Sequence, residues 1–156
     1  MLKVSNYTKM RKVLFFGSTT TWEVPSGVDY CTARICGGGG GGGSVGTPTA
    51  GANSTVICDD GTFSGIGGGP VTIDFMGANG TCLSGRESSG QSAFFACGIS
   101  SRSFAGLIPA AVNEFGIELI PGETVTITVG AGGAQGVVSS GAANGGSGFV
   151  NIEYWI

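Results

Sequence analysis

An unbroken run of seven glycines, Gly37–Gly43, is the feature that most constrains how this chain can fold. Glycine loses more backbone entropy on folding than any other residue, so it is a costly choice unless the backbone must pass where no side chain fits. Further glycine blocks occupy 67–69, 130–136 and 141–148, and each adjoins a predicted strand. A flexible linker would separate domains instead of recurring between the strands of one domain.

Two conformations are open to these blocks. They could be mobile loops, or they could adopt the extended polyproline II form, which has no internal hydrogen bonds. In the second case neighbouring segments must satisfy one another's backbone groups. The glycines assigned to such structural segments are Gly37, Gly38, Gly39, Gly40, Gly41, Gly42, Gly43, Gly67, Gly68, Gly69, Gly130, Gly132, Gly133, Gly145 and Gly146.

The hydrophobic pattern predicts an all-β fold. Residues 123–129 alternate strictly, with Val125, Ile127 and Val129 on one face and threonines on the other, which is typical of a half-buried strand. Further strands are predicted over 12–16, 19–24, 28–36 and 149–156, and around Phe115, Ile117 and Leu119. We therefore expect a small antiparallel β-sandwich-like domain with glycine-rich segments between its strands.

Two local predictions concern the region before residue 123. Pro121-Gly122 favours a turn, and the strands on either side of it are expected to form a β-hairpin. Helix signals are weak, and the best candidate is a short turn over Pro109–Phe115, with proline at its first position.

Composition excludes several classes. Hydrophobic residues make up 41% of the chain and the net charge is only −3, which argues against intrinsic disorder. The acidic balance argues against nucleic acid as the main partner, and no apolar run is long enough to span a membrane. Four cations, Lys3, Lys9, Arg11 and Lys12, lie near the start, so 1–12 is interpreted as a docking or flexible segment before a domain over 13–156.

No catalytic, cofactor or metal site is predicted. The chain has no histidine, which removes Ser-His-Asp and Cys-His arrangements. Asp59-Asp60-Gly61 favours a turn, because no calcium-loop spacing follows. A carboxylate pair of the glycosidase type stays open, since nothing in the sequence determines which acids converge. We nevertheless interpret the protein as not an enzyme.

The five cysteines are interpreted first as small buried hydrophobes, with later oxidation left open. Cys31 and Cys36 are an odd number of positions apart, so they should point to opposite faces of their strand and should not pair with each other.

Three motifs, in order, resemble the glycine-rich domain of bacteriophage tail-fibre and tail proteins. The first is Thr-Trp-Glu-Val-Pro-Ser-Gly-Val over 21–28, which leads through a strand to the seven glycines. The second is Pro-Gly-Glu-Thr, a strand and Val-Gly-Ala-Gly-Gly over 121–133, and the third is the closing strand over 145–154. The likeness weakens over 70–114, which is interpreted as a divergent insert.

The resemblance implies a virion protein, made in the host cytoplasm, that acts as a tail-fibre-associated or tail-tip adhesin. Its expected partners are other tail or fibre proteins and a receptor on the host's outer surface, without membrane insertion. Fibre symmetry implies a homo-oligomer, with a trimer as the first expectation. Aromatic and arginine side chains are common at binding hot spots, so the candidate receptor contacts are Arg86, Phe94, Phe95, Arg102 and Phe104. A purely structural decoration or connector protein is the main alternative, and a non-viral surface or matrix protein is a third. Packing of the three phenylalanines in a core is the competing role for those residues.

Overall fold

The computed structural model describes residues 9–41, 49–69, 113–134 and 144–156. These residues form strands and no helix, which confirms the all-β prediction. In chain order the strands are β1 (Arg11–Phe16), β2 (Thr20–Glu23), β3 (Tyr30–Cys36), β4 (Ser54–Cys58), β5 (Gly61–Gly65), β6 (Asn113–Glu118), β7 (Thr124–Thr128) and β8 (Phe149–Trp155).

The strands form two four-stranded antiparallel sheets that pack as a sandwich. Sheet A has the order β1-β8-β3-β6, and sheet B has the order β2-β7-β4-β5. Most neighbouring strands are therefore far apart in sequence, as in β3 and β8, whose register pairs Ala33 with Ile152. The predicted antiparallel sandwich is confirmed.

The core lies between the sheets and is built from alternate residues of each strand. In β3 the inward residues are Cys31, Ala33 and Ile35, and in β7 they are Val125 and Ile127, as predicted. All five side chains are 0–1% exposed. Because the strand period is two, these positions share one face of their strand. The other fully buried hydrophobic residues in the described ranges are Val24, Val28, Cys36, Val56, Ile117, Val150 and Ile152.

The predicted hairpin between β6 and β7 is wrong, although the turn itself is present. Glu123 N donates to Ile120 O, and Gly122 has a positive φ of 87°, which are the marks of a type II turn with Pro121 at its second position. However, β6 pairs with β3 in sheet A, whereas β7 pairs with β2 and β4 in sheet B. The turn carries the chain across the core from one sheet to the other.

Two other sequence boundaries differ from the structure. Asn113 is the first residue of β6, so the last residues of the predicted helical turn and of the divergent insert belong to a strand. Cross-strand pairing with Ile35 holds Asn113 in an extended conformation. At the other end of the chain β1 begins at Arg11, inside the segment interpreted as a docking arm.

The sandwich has two distinct ends. At one end, which we name the glycine end, β3, β5 and β7 finish while β4 and β8 begin. At the opposite end Met10 and Ile156 exchange two backbone hydrogen bonds of 2.7 and 3.0 Å, which extend the β1–β8 pairing. Met10 and Ile156 therefore lie side by side, a full strand length from the glycine end.

Candidate functional site

Five extended segments continue from the strands at the glycine end, and together we name them the glycine bundle. None of them belongs to a strand. They are 37–41 after β3, 49–53 before β4, 66–69 after β5, 130–134 after β7 and 144–148 before β8. Both sheets contribute to the bundle, so it stands on the whole end of the sandwich.

Backbone hydrogen bonds between different segments hold the bundle together. The segment 37–41 lies at the centre and bonds to the other four, with N···O distances of 2.7 to 2.9 Å. These bonds run from Gly38 N to Ala52 O, Gly39 N to Gly146 O, Gly41 N to Thr49 O, Gly68 N to Gly38 O and Gly133 N to Gly39 O. One extended segment bonding to several surrounding segments is the packing of polyglycine II, and a β-strand has only two neighbours in its sheet.

The outer segments also bond to one another. Ala52 N donates to Ala131 O and Thr49 N donates to Ala134 O, so the bonding positions on these two segments recur every three residues. A repeat of three is that of the polyproline II helix. Of the two conformations open to the glycine blocks, the described part has the extended, mutually bonded one. Gly42 and Gly43 lie outside the described residues.

Glycine is required in the bundle by close approach of backbones. A Cβ at Gly38, Gly51 or Gly145 would lie closer than 3.0 Å to carbonyl atoms of the neighbouring segment. In each case the obstructing atoms belong to the backbone, which cannot rotate away as a flexible side chain would. Left-handed backbone is not the reason, since the described glycines with positive φ lie in the sandwich: Gly27 and Gly122 in turns, and Gly61 at the start of β5.

Side chains in the bundle occur where a segment faces outwards. In 130–134 the exposed residues are Ala131 and Ala134, and in 144–148 they are Asn144 and Ser147. Each pair is separated by three positions, one turn of the helix. The central segment 37–41 is buried throughout and consists of glycine alone. Its unbroken run of glycine is thus explained by neighbours on several sides.

Ser54 anchors the bundle to the sandwich, and sequence reasoning missed it. Its side chain is fully buried, and the hydroxyl donates to Cys36 O at 2.6 Å and accepts from Gly130 N at 2.9 Å. Three segments therefore meet at one buried polar group at the base of the bundle. No motif singles out this serine, because its partners are 18 and 76 positions away.

The far side of the bundle is where the chain leaves the described residues. Gly41 and Thr49 flank 42–48, and Ala134 and Asn144 flank 135–143. Thr49 and Ala134 are joined there by two hydrogen bonds, one of which uses the threonine hydroxyl at 2.7 Å. Gly69 precedes 70–112, which contains every candidate receptor contact. Arg86, Phe94, Phe95, Arg102 and Phe104 thus lie outside the described residues.

An open groove of about 620 Å³ lies at the opposite end of the sandwich. Four carboxylates line it, from Asp29, Asp59, Asp60 and Glu118. Asp60 accepts a bond from the backbone N of Glu118 at 3.2 Å, and the Asp59-Asp60 pair forms the predicted turn between β4 and β5. Within the described ranges no three potential ligands come close enough to hold a metal ion.

The described cysteines differ in state. Cys36 is disulfide-bonded, whereas Cys31 and Cys58 are free, so Cys31 and Cys36 do not pair, as predicted. Burial raises the pKa of the Cys31 thiol to about 12, and burial also raises that of Cys58. Both thiols are therefore protonated at neutral pH, which makes them poor nucleophiles.

Comparison of the chain with protein-family models, with curated proteins and with solved structures finds no match. Among the described residues no helix is long and apolar enough to cross a membrane. The class defined by the structure is therefore an all-β sandwich extended at one end by a polyglycine-type bundle.

Proposed function

We propose that this chain is a bacteriophage virion protein, associated with a tail fibre or tail tip, that contributes to binding of a host-surface receptor. One observation carries the proposal. The glycine bundle projects from one end of the sandwich, and the paired strands β1 and β8 extend to Met10 and Ile156 at the other. This polarity suits a protein that attaches to the virion at one end and contacts a receptor from the other.

The bundle supports this role through its rigidity. Its segments are bonded laterally on several sides, and Ser54 ties its base to both sheets. Binding residues carried by loops work best on a rigid scaffold, because a preorganised loop loses less conformational entropy when it binds. A bundle without bulky side chains also lets several chain segments leave through a narrow cross-section.

The function proposed is binding without a catalytic step. Both free thiols are protonated at neutral pH, and the acidic groove lies at the end assigned to attachment. Receptor contact is assigned to the 70–112 segment, through Arg86, Phe94, Phe95, Arg102 and Phe104. This assignment rests on the residue types that dominate binding hot spots.

The test is binding of the purified, fluorescently labelled protein to whole bacterial cells that adsorb the parent virion. Three variants accompany the wild type: a deletion of 84–106, the double change Arg86→Ala with Arg102→Ala, and the control Lys9→Ala. Lys9 is exposed at the end of the sandwich opposite the glycine end, so the control removes one positive charge there. We expect saturable wild-type binding, unchanged binding by the control and about tenfold weaker binding by the double variant.

Far-UV circular dichroism of each variant separates loss of contact from loss of fold. If the folded wild type does not bind cells that adsorb the virion, the adhesin proposal is wrong, and a structural decoration or connector role replaces it. If the wild type and the deletion variant bind equally well, the protein is still an adhesin, but its receptor contacts lie outside 84–106.

A further inference from the structure

We propose that two copies of this chain pair through β1, antiparallel about a two-fold axis at Val13, so that their A sheets join into one continuous sheet. The inference does not depend on the proposed adhesin role. It rests on the hydrogen-bonding direction of β1, on the exposure of its side chains, and on the register that a second copy would take.

The direction of the backbone groups follows from the pairing with β8. Met10 and Ile156 exchange both backbone hydrogen bonds, so they form a hydrogen-bonded pair. In an antiparallel ladder such pairs alternate with pairs whose groups point away. Lys12 and Leu14 therefore bond to β8, whereas the N–H and C=O groups of Arg11, Val13 and Phe15 point towards the edge of sheet A, where none of the described strands pairs with β1.

The side chains along this edge are unusually exposed for apolar residues. Val13 is 48% exposed and Phe15 is 62% exposed. Nine large hydrophobic residues are exposed within the described ranges, and five of them lie on β1, beside it, or at the adjacent end of β8. These five are Met10, Val13, Phe15, Trp155 and Ile156. An exposed edge strand with apolar side chains and no proline is a surface that pairs with another strand.

The register of a second copy is self-complementary. A two-fold axis at Val13 places Val13 opposite Val13 of the second copy and Arg11 opposite Phe15, in both directions. All three pairs consist of residues whose backbone groups point to the edge, so each pair can exchange two hydrogen bonds. Opposed residues also lie on the same face of the sheet, so the outer face of each copy stays outside and each core stays inside.

Charge does not oppose this pairing. The Arg11 guanidinium is held by the Glu153 carboxylate of its own chain through two hydrogen bonds of 2.6 Å. In this register Arg11 faces Phe15 and Lys12 faces Leu14 of the second copy, so no two like charges are directly opposed. An isologous contact of this kind is the commonest route to a closed dimer.

The other edge strands are less suited to self-pairing. On β6 the backbone N of Glu118 already bonds to Asp60, and exposed Glu114 adds a second carboxylate along the same edge. On β5 the carbonyl of Ser64 accepts from Asn113 Nδ2 across the core. β2 has four residues and ends in Glu23. β1 also carries two charged residues, Arg11 and Lys12, but Arg11 is paired with Glu153 of its own chain. Among the described edges of more than four residues, β1 is the one whose edge-facing backbone groups enter none of the hydrogen bonds between described residues.

The test is sedimentation equilibrium of the full chain over a wide range of concentration, together with Val13→Pro. The Val13 N–H points away from β8, so proline removes no hydrogen bond within the monomer but removes two from the symmetric dimer. Thr62→Pro is the matched control, because Thr62 lies two residues before Ser64 and its N–H also points away from its neighbouring strand. We expect a mass rising towards twice 15.4 kDa, and a Kd about 30-fold weaker for Val13→Pro alone.

Hydrogen exchange of the wild type tests the same contact without a substitution. The Lys12 and Leu14 amides should be protected at all concentrations, whereas those of Arg11, Val13 and Phe15 should gain protection as the dimer forms. A monomer at every concentration, a trimer, or equal effects of the two prolines would each overturn the proposal. So would edge amides whose exchange is independent of concentration.

Discussion

The core of the sandwich is filled with side chains, whereas the interior of the glycine bundle contains almost none. In the sandwich, Ile35, Ile127 and Ile152 are fully buried, and each such side chain contributes about 1.5–3 kcal/mol by leaving water. In the bundle, segments are joined by backbone hydrogen bonds of 2.7–3.0 Å, each with a net contribution of about 1 kcal/mol. The sandwich is therefore stabilised by buried apolar side chains. The bundle is stabilised by backbone hydrogen bonds that form only because no Cβ atoms keep its segments apart.

The difference teaches that the two regions should respond to opposite kinds of substitution. Removing methyl groups should damage the sandwich, because a cavity remains where the side chain was. Adding a single methyl group should damage the bundle, because the neighbouring carbonyls occupy that space. Two substitutions test this contrast directly, and two more test the junction between the regions and the outer face of sheet A.

The largest effect is expected for Ile152→Ala in the middle of sheet A. Ile152 is 0% exposed and pairs with both Leu14 and Ala33. The loss in free energy of unfolding should be about 4 kcal/mol, as for other fully buried residues truncated to alanine. Urea unfolding measures it, and a loss below about 1 kcal/mol would show that the core is looser than its burial indicates.

The second largest effect is expected for Gly38→Ala, which should lower the free energy of unfolding by about 3 kcal/mol through overpacking. The new Cβ would meet the carbonyl of Ala131, and the displaced backbone would weaken the bonds from Gly38 N to Ala52 and from Gly68 N to Gly38. Gly69→Ala is the matched control, because a Cβ there meets nothing within 4 Å. Equal stability of the two variants by urea unfolding would contradict close packing at the centre of the bundle.

The third largest loss of stability is expected for Ser54→Ala, which lies at the junction of the sandwich and the bundle. It removes no bulky group, but it leaves Cys36 O and Gly130 N without the hydroxyl in a buried site. Unsatisfied buried groups of this kind cost about 2 kcal/mol. Hydrogen exchange should show the loss of protection at the Gly130 amide first, and Thr126→Ala on the exposed face of β7 serves as the control.

The smallest effect concerns the pH dependence of the Arg11–Glu153 pair on the outer face of sheet A. The Arg11 guanidinium lowers the pKa of the Glu153 carboxyl through hydrogen bonding and charge. A lowered folded-state pKa adds stability above the unfolded pKa of about 4.3, and that stability is lost as the pH falls through the folded value. The wild type should therefore melt at a higher temperature than Glu153→Gln at neutral pH, and the difference between their melting temperatures should disappear in acid. A constant difference down to low pH would contradict this linkage.

Local features of the fold could be predicted because they depend on neighbours in sequence. Alternation in Val125 and Ile127 placed β7 and its buried face, and Pro121-Gly122 placed a turn. The glycine blocks marked four of the five segments of the bundle, because a backbone that must approach another backbone closely excludes Cβ at those positions. The segment 49–53 has a single glycine, Gly51, and was not predicted. The candidate receptor contacts stay a prediction from residue type.

Long-range pairing could not be predicted, and the β6–β7 turn shows why. A hairpin and a crossing between sheets bury the same residues, Ile117 and Leu119 before the turn and Val125 and Ile127 after it. The two topologies differ in strand pairing. In the structure β6 pairs with β3 in sheet A, and β7 pairs with β2 and β4 in sheet B. The hydrophobic pattern is the same in both topologies.

By itself the sequence determined six of the eight described strands, the core-facing residues of β7 and the places where glycine recurs, whereas β4 and β5 lay outside the predicted strands. All three depend on the identity of one residue and its immediate neighbours. Only the tertiary structure decided that 37–41 is the central segment of the bundle, that Ser54 joins three segments, and that β1 lies at an edge. These properties depend on which distant segments become neighbours, and that is decided by the packing of the whole chain around one core.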